Sequence, residues 1–316
     1  MYFVINTLYK VVMKQINIVD SSVIIPVYNQ SESLKIILNF FQYQSYPSEK
    51  YEIIIVDDGS TDDLENKIND EYWPKLECKV TYIRHEKNRG RAYSRNQGAK
   101  IAQGKCLIFC DSDRFPSRDF VKFHTERIIN SKDITIVGCP WDYFGSLNNI
   151  CNFKNINWDA ITKYSRKTQY YKKITKICFE NGLCESRIAW CLFLVGNSSL
   201  RASDFFRVGG FDSNFTDWGF EHFDIAIRLQ NNGIKFSNCK DIGNYHIPHR
   251  RETGYYREKI EASTKVLINK YDCEKINHFK EFLFGEISLQ EFENLYSGNL
   301  SNNLNIEEPI YYISKI

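Results

Sequence analysis

The feature that most constrains this chain is an alternation, starting at Ser22, of short apolar runs with longer stretches that are apolar at helical spacing. Residues 22–27 (SVIIPV), 52–56 (EIIIV), 79–83, 106–110 (CLIFC) and 134–137 are predicted strands. The second and fourth are almost uniformly apolar, as befits strands covered on both faces. Between them, a stretch from Ser31 with Leu34, Ile37, Leu38 and Phe41 on one face, then residues 62–69, 91–102 and 120–129, are predicted helices. Tyr46-Pro47 ends the first helix, and Pro26 marks where strand pairing should stop. Strand–helix–strand order with short connections predicts a mostly parallel α/β sheet between two helical layers.

Beyond residue 140 the pattern weakens. Residues 141–187 are rich in Asn, Lys and Tyr and read as an irregular, partly helical insertion. Regular signals return over 189–195, followed by an expected turn at Gly196-Asn197-Ser198. A helix over 221–230, with Asp224 and Arg228 paired at i, i+4, precedes a short strand at 234–237. Residues 259–295 read as helical, and the polar tail from Ser297 is expected to be poorly ordered. No repeat or Pro/Gly linker divides the chain, so the C-terminal half should complete the same core.

Composition excludes some classes of function. A net charge of +2 over 316 residues gives no basic face for nucleic acid, and Lys172-Lys173 and Arg250-Arg251 read as solvated surface. The ten cysteines form no CxxC pair, and several sit in apolar runs as small buried hydrophobes, which argues against structural zinc. Residues 1–13 lack a signal-peptide cleavage site, and no apolar run reaches the ~18 residues of a membrane span. The expectation is a reduced, cytoplasmic protein, with peripheral membrane contact left open.

Ligands of parallel sheets bind beyond the carboxyl ends of the strands. Three strands run into polar segments there: Pro26-Val27-Tyr28-Asn29, Asp57-Asp58-Gly59-Ser60 and Asp111-Ser112-Asp113. In an extended segment the carboxylates of Asp111 and Asp113 project from one face. Beside a buried strand they are costly unless a cation or hydrogen-bond donors compensate them; a divalent cation is the natural partner, and oxygen ligands favour Mg²⁺ or Mn²⁺. The plainer alternatives are an Asp that caps a helix and, at Asp57 to Ser60, an ordinary β-turn. Gly209-Gly210 reads as a tight turn, and His85 and His124 as core or surface histidines. Trp218 suits either the core or stacking on a sugar ring.

VIIPVYN, IIIVDDGSTDD, NRGRAYSRNQGAKIAQGKCLIFCDSD and VGNSSLRASDFFRVGGFDSNFTDWGFEHFDIAIRL together resemble family 2 glycosyltransferases of the GT-A fold, over residues 22–250. The last block also resembles the WG-x-E-D or WG-x-E-N motif of galactosyl- and N-acetylgalactosaminyltransferases. The resemblance implies a GT-A domain over 1–255, with a donor half (20–140), an acceptor half (141–255) and a C-terminal helical extension (256–316). It implies transfer from a UDP-sugar to a hydroxyl of a surface polysaccharide, lipid-linked oligosaccharide or peptide. Pro26, Tyr28 and Asp57 would line the uridine pocket, with Asp58 nearby, and Arg91 or Arg95 would reach the base or diphosphate. Asp111 would sit near ribose and metal, Ser112 would count among the nucleotide-binding residues, and Asp113 would bind Mn²⁺ or Mg²⁺ directly. His246, or failing it His249, would complete the metal site.

The sequence departs from the family where a catalytic Asp is usual. Trp218-Gly219-Phe220-Glu221-His222 places histidine there. Three readings stay open: His222 is the base, Glu221 is the base with His222 on the acceptor, or configuration is retained with no such base. An inverting enzyme using Glu221 or His222 is the favoured one. A sugar-phosphate nucleotidylyltransferase would need a Gly-rich basic loop where this chain has Pro-Val-Tyr-Asn. A catalytically degenerate binding protein has only the His222 departure in its favour.

Overall fold

The computed structural model describes residues 19–69, 73–146, 150, 156–215, 219–248, 252 and 254–298. Ten strands are described: β1 (Ser21–Val27), β2 (Tyr51–Asp57), β3 (Lys79–Arg84), β4 (Cys106–Cys110), β5 (Arg114–Pro116), β6 (Ile134–Tyr143), β7 (Ser165–Lys167), β8 (Leu183–Cys184), β9 (Asn197–Arg201) and β10 (Lys235–His246). They form one sheet in the order β3-β2-β1-β4-β9-β6-β10-β5, with β7 on β6 and β8 on β10. β1 to β4 pair in parallel, as the alternation implies. Side chains alternate between two apolar cores: Val23, Ile25 and Ile108 face one, Ile24, Leu107 and Phe109 the other. That two-sided burial is why these strands read as uniformly apolar.

One expectation needs correction. The turn expected at Gly196-Asn197-Ser198 ends at Gly196, and Asn197 and Ser198 open β9, which lies antiparallel between β4 and β6 in mid-sheet. Its polar residues misled the pattern, because Asn197, Ser198 and Ser199 are almost fully buried. Buried polar groups are tolerated when their hydrogen bonds are satisfied. Here the His124 ring lies 2.8 Å from Ser199 Oγ and 3.0 Å from Asn197 Oδ1, while Asn197 donates to the Ile242 carbonyl. His124 is therefore a core histidine, and burial lowers its pKa to about 3.

The stretch 259–295, read as helical, forms three helices, Tyr255–Tyr271, Asn277–Phe284 and Leu289–Ser297. Left-handed residues, Asp272 (φ 46°) and Gly285 (φ 76°), end the first two. These helices share a core with the rest. Trp190 meets Phe223 at 5.7 Å and Phe279 at 4.9 Å edge to face. The fully buried Asp224 pairs with Arg228 as its spacing predicts, and also takes the Tyr271 hydroxyl at 2.8 Å and Lys270 at 2.7 Å.

The described cysteines are free and mostly buried. Among the described residues, no helix is long and apolar enough to cross a membrane. Residues 1–18, Trp218, His249, Arg250-Arg251 and the tail from residue 299 lie outside the described residues.

Candidate active site

β1 stays paired with β2 as far as Val27 and Asp57, but its pairing with β4 ends at Ile24 and Phe109. Pro26, which has no N–H to donate, lies just past that parting. The two strands diverge at the point where strand order reverses, and such a switch point opens a crevice. Tyr28 stands at its rim, 45% exposed, and Pro26 is half-buried.

The paired acids after β2 face inward. Asp57 is fully buried and accepts from Tyr82 Oη (2.7 Å), Arg84 Nε (3.2 Å) and the Ser60 amide (2.8 Å). Asp58 accepts the Arg89 and Gly90 amides at 2.9 Å, with His85 Nδ1 at 3.0 Å. Asp58 thus fixes the segment that leads into the helix Arg91–Ile101, while Asp57 ties the end of β2 to β3. Ser112 donates to Gln30 Oε1 at 2.5 Å, tying the segment after β4 to the segment after β1.

Arg95 joins the two ends of the chemistry. It is 1% exposed, donating from Nη2 to Asp111 Oδ1 at 2.8 Å and from Nη1 to Glu221 Oε1 at 2.7 Å. The resemblance would have it reach the base or the diphosphate, but its guanidinium lies inside the protein between carboxylates. Arg91, one turn earlier, is half-buried, and its charge also acts on Glu221. Asp111 Oδ2 stands 3.7 Å from Arg114 Nε, and Gly196 leaves it room, since a Cβ there would fall 2.2 Å away.

Glu221 opens the helix Glu221–Asn231 and is 1% exposed. Burial works to raise its pKa, but His222, Arg95 and Arg91 together hold the carboxyl well below the usual range. Of these, only Arg95 makes a direct hydrogen bond, at 2.7 Å, because His222 Nδ1 lies 3.7 Å from Oε2, an ion-pair distance. Oε2 has no hydrogen-bond partner among the described residues. His222 is partly exposed and packs on Phe223 with ring centroids 4.0 Å apart.

Across the crevice, antiparallel pairing sets His246 of β10 opposite Arg114 of β5, and the Ile247 amide donates to the Asp113 carbonyl. His246 Nε2 lies 3.6 Å from Asp113 Oδ2, and Nδ1 lies 3.1 Å from Asp142 Oδ1. Burial lowers the His246 pKa, yet Asp113 and Asp142 outweigh it and the net shift is upward. Asp142 was not singled out from the sequence. It lies at the start of the expected insertion, and only the β6–β10 register brings it to His246.

Among the described residues, no three His, Cys, Asp or Glu side chains converge to hold a metal unaided. The pair Asp113 and His246 nevertheless fits a divalent ion. Donors at about 2.1 Å from one ion stand roughly 3 Å apart at right angles, close to the separation seen, and Mg²⁺ sites commonly draw their remaining ligands from phosphate and water.

Residues 22–193 match the profile of glycosyl transferase family 2, and residues 183–250 match one described as the N-terminal domain of galactosyltransferase. The uncharacterized glycosyltransferase YfnE of Bacillus subtilis (strain 168) is 27% identical over 282 residues, 80% of this chain and 70% of that protein. Validoxylamine A glucosyltransferase of Streptomyces hygroscopicus subsp. jinggangensis is 28% identical over 241 residues, 73% of this chain and 56% of that protein. The chain thus spans little more than half of the second relative. The crystal structure of S. aureus TarS 1-349 in complex with UDP-GlcNAc superposes with a TM-score of 0.56 at 19% identity, covering 86% of this chain and 77% of that one. A mannosyltransferase from Pyrobaculum calidifontis, solved with GDP-Man and Mn²⁺, gives 0.54 at 17%, covering 88% and 68%. The family 2 profile covers more than half of the chain and the superpositions share its fold, so the chain belongs to glycosyl transferase family 2, with the GT-A fold.

Proposed function

We propose that the protein transfers a sugar from a UDP-sugar to a hydroxyl acceptor with inversion, assisted by Mn²⁺ or Mg²⁺. The observation that carries this is the Arg95 bridge, which fixes donor-side Asp111 and acceptor-side Glu221 to one guanidinium. The donor half spans 20–140 and the acceptor half 141–255, with the helices beyond as an extension.

Tyr28 and Pro26 line the nucleotide crevice, and Arg91 is the cation left to face a diphosphate. Asp113 and His246 would hold the metal, and a divalent ion held there would supply charge neutralisation of the departing diphosphate. Glu221, buried and charge-paired with Arg95, is a weak proton acceptor and orients its neighbours instead. His222 takes the acceptor proton as the hydroxyl oxygen bonds to the anomeric carbon and the sugar–phosphate bond breaks on the opposite side.

UDP as the nucleotide is supported by the TarS complex, although the mannosyltransferase was solved with GDP-Man, so the fold alone does not choose. Thermal unfolding with UDP or GDP plus Mn²⁺, followed by hydrolysis assays over common UDP-sugars, tests the proposal. UDP should raise the melting temperature by linkage, and one donor should be hydrolysed. Stabilisation by GDP alone, or UDP binding with no turnover of any donor, would overturn it.

A further inference from the structure

We propose that Asp142 is a positioning residue that holds the His246 ring so that Nε2 presents its lone pair beside Asp113. The inference rests on the proposed metal site at Asp113 and His246.

Register places Arg114, His246, Asp142 and Arg166 in one row across β5, β10, β6 and β7. Residues directly opposite one another in a sheet share a face. Within that row Asp142 Oδ1 lies 3.1 Å from His246 Nδ1. An ionised carboxylate can only accept, so Nδ1 carries the proton and the lone pair of the neutral ring is on Nε2. Nε2 faces Asp113 Oδ2 at 3.6 Å. A lone pair opposite a carboxylate oxygen is unfavourable unless a proton or a metal ion lies between them, and the metal needs the neutral ring that Asp142 orients.

Arg166, the other neighbour of Asp142 in the row, does not claim it. Its Nη1 donates to the Lys163 and Ser165 carbonyls at 3.0 and 2.9 Å. Asp142 is thus directed at the histidine. Such partners fix the tautomer and orientation of a ligating ring, and their loss commonly costs 10–100-fold in metal affinity.

Two measurements on the full chain test this. The first is Mn²⁺ titration with UDP at saturation, followed by the paramagnetic resonance signal of the free ion. Asp142→Asn should weaken Mn²⁺ binding about 10–100-fold, Asp142→Glu should recover part of it, and metal-free UDP binding should not move. His246→Ala should weaken it at least as much. If His246→Ala leaves Mn²⁺ affinity unchanged, the metal-site assignment itself fails; if only Asp142→Asn is silent, the role of Asp142 fails alone. The second is the ¹⁵N spectrum of histidine-labelled, metal-free wild type at alkaline pH, which needs no variant. A His246 protonated on Nδ1 is expected, and one protonated on Nε2 overturns the proposal.

Discussion

Arg95 and Glu221 are 126 positions apart in the chain and 2.7 Å apart in space. Each is about 1% exposed, so neither charge has water to fall back on. Removing one member of a buried pair strands the other at a cost of about 3–5 kcal/mol. Arg95→Ala should lose stability of that order in urea unfolding, and turnover with it. An Arg95→Met, Glu221→Gln double variant should recover much of the stability and none of the activity. Full activity in that double variant would show the bridge to be scaffolding only.

Replacing His222 separates base from scaffold. It is only partly buried, so His222→Ala should fold normally. Loss of a general base typically costs 10²–10⁴-fold in turnover, and kcat should fall by that order while UDP affinity holds. A kcat near wild type removes His222 from the mechanism and returns the role to Glu221.

The raised pKa of His246 sets a pH dependence with a definite sign. Without metal, the protonated ring bridges Asp113 and Asp142. Its contribution to stability is complete below the unfolded histidine pKa of ~6.5 and fades as pH rises through the higher folded value. Metal needs the neutral ring, so Mn²⁺ affinity in the presence of UDP should fall on acidification by up to about tenfold per pH unit. Calorimetric titration across pH 6 to 8 would reveal it, and a flat profile would exclude His246 as a ligand.

His124 acts in the opposite direction. Its folded pKa of about 3 lies below the unfolded value, so its stabilising effect is present above ~6.5 and is lost as pH falls toward 3. The slope is about 1.4 kcal/mol per pH unit. Unfolding midpoints at pH 7, 6 and 5 should drop more steeply for wild type than for His124→Asn.

Gly196→Ala should disable the crevice without unfolding the sheet. The added methyl would fall 2.2 Å from Asp111 Oδ2 and push that carboxylate from its place. UDP–Mn²⁺ affinity should fall at least tenfold while far-UV dichroism stays native. Unchanged affinity would mean that Asp111 has no part in the site.

Much of this was legible in the chain because it was local. β1, β2 and β4 are apolar on both faces and end in Tyr28, Asp57 and Asp111, so pattern and position agree. What escaped depends on distant pairing. The start of β9 read as a turn because Gly196, Asn197 and Ser198 suit one, and the burial of Asn197 and Ser199 is compensated by His124 from another element. Asp142 carries no local signal, and its partner His246 is 104 positions away. Arg95 had a helix and a motif to mark it, but nothing local could show that it turns inward to Glu221.

The late entry of β9 bears on how the chain is made. When a nascent chain has emerged only as far as β6, the edges of β4 and β6 that β9 will later fill are both open. Unpaired strand edges are templates for self-association, and domains complete their folding only as synthesis delivers the missing strand. Products that stop before residue 197 should therefore aggregate rather than persist as a half-enzyme.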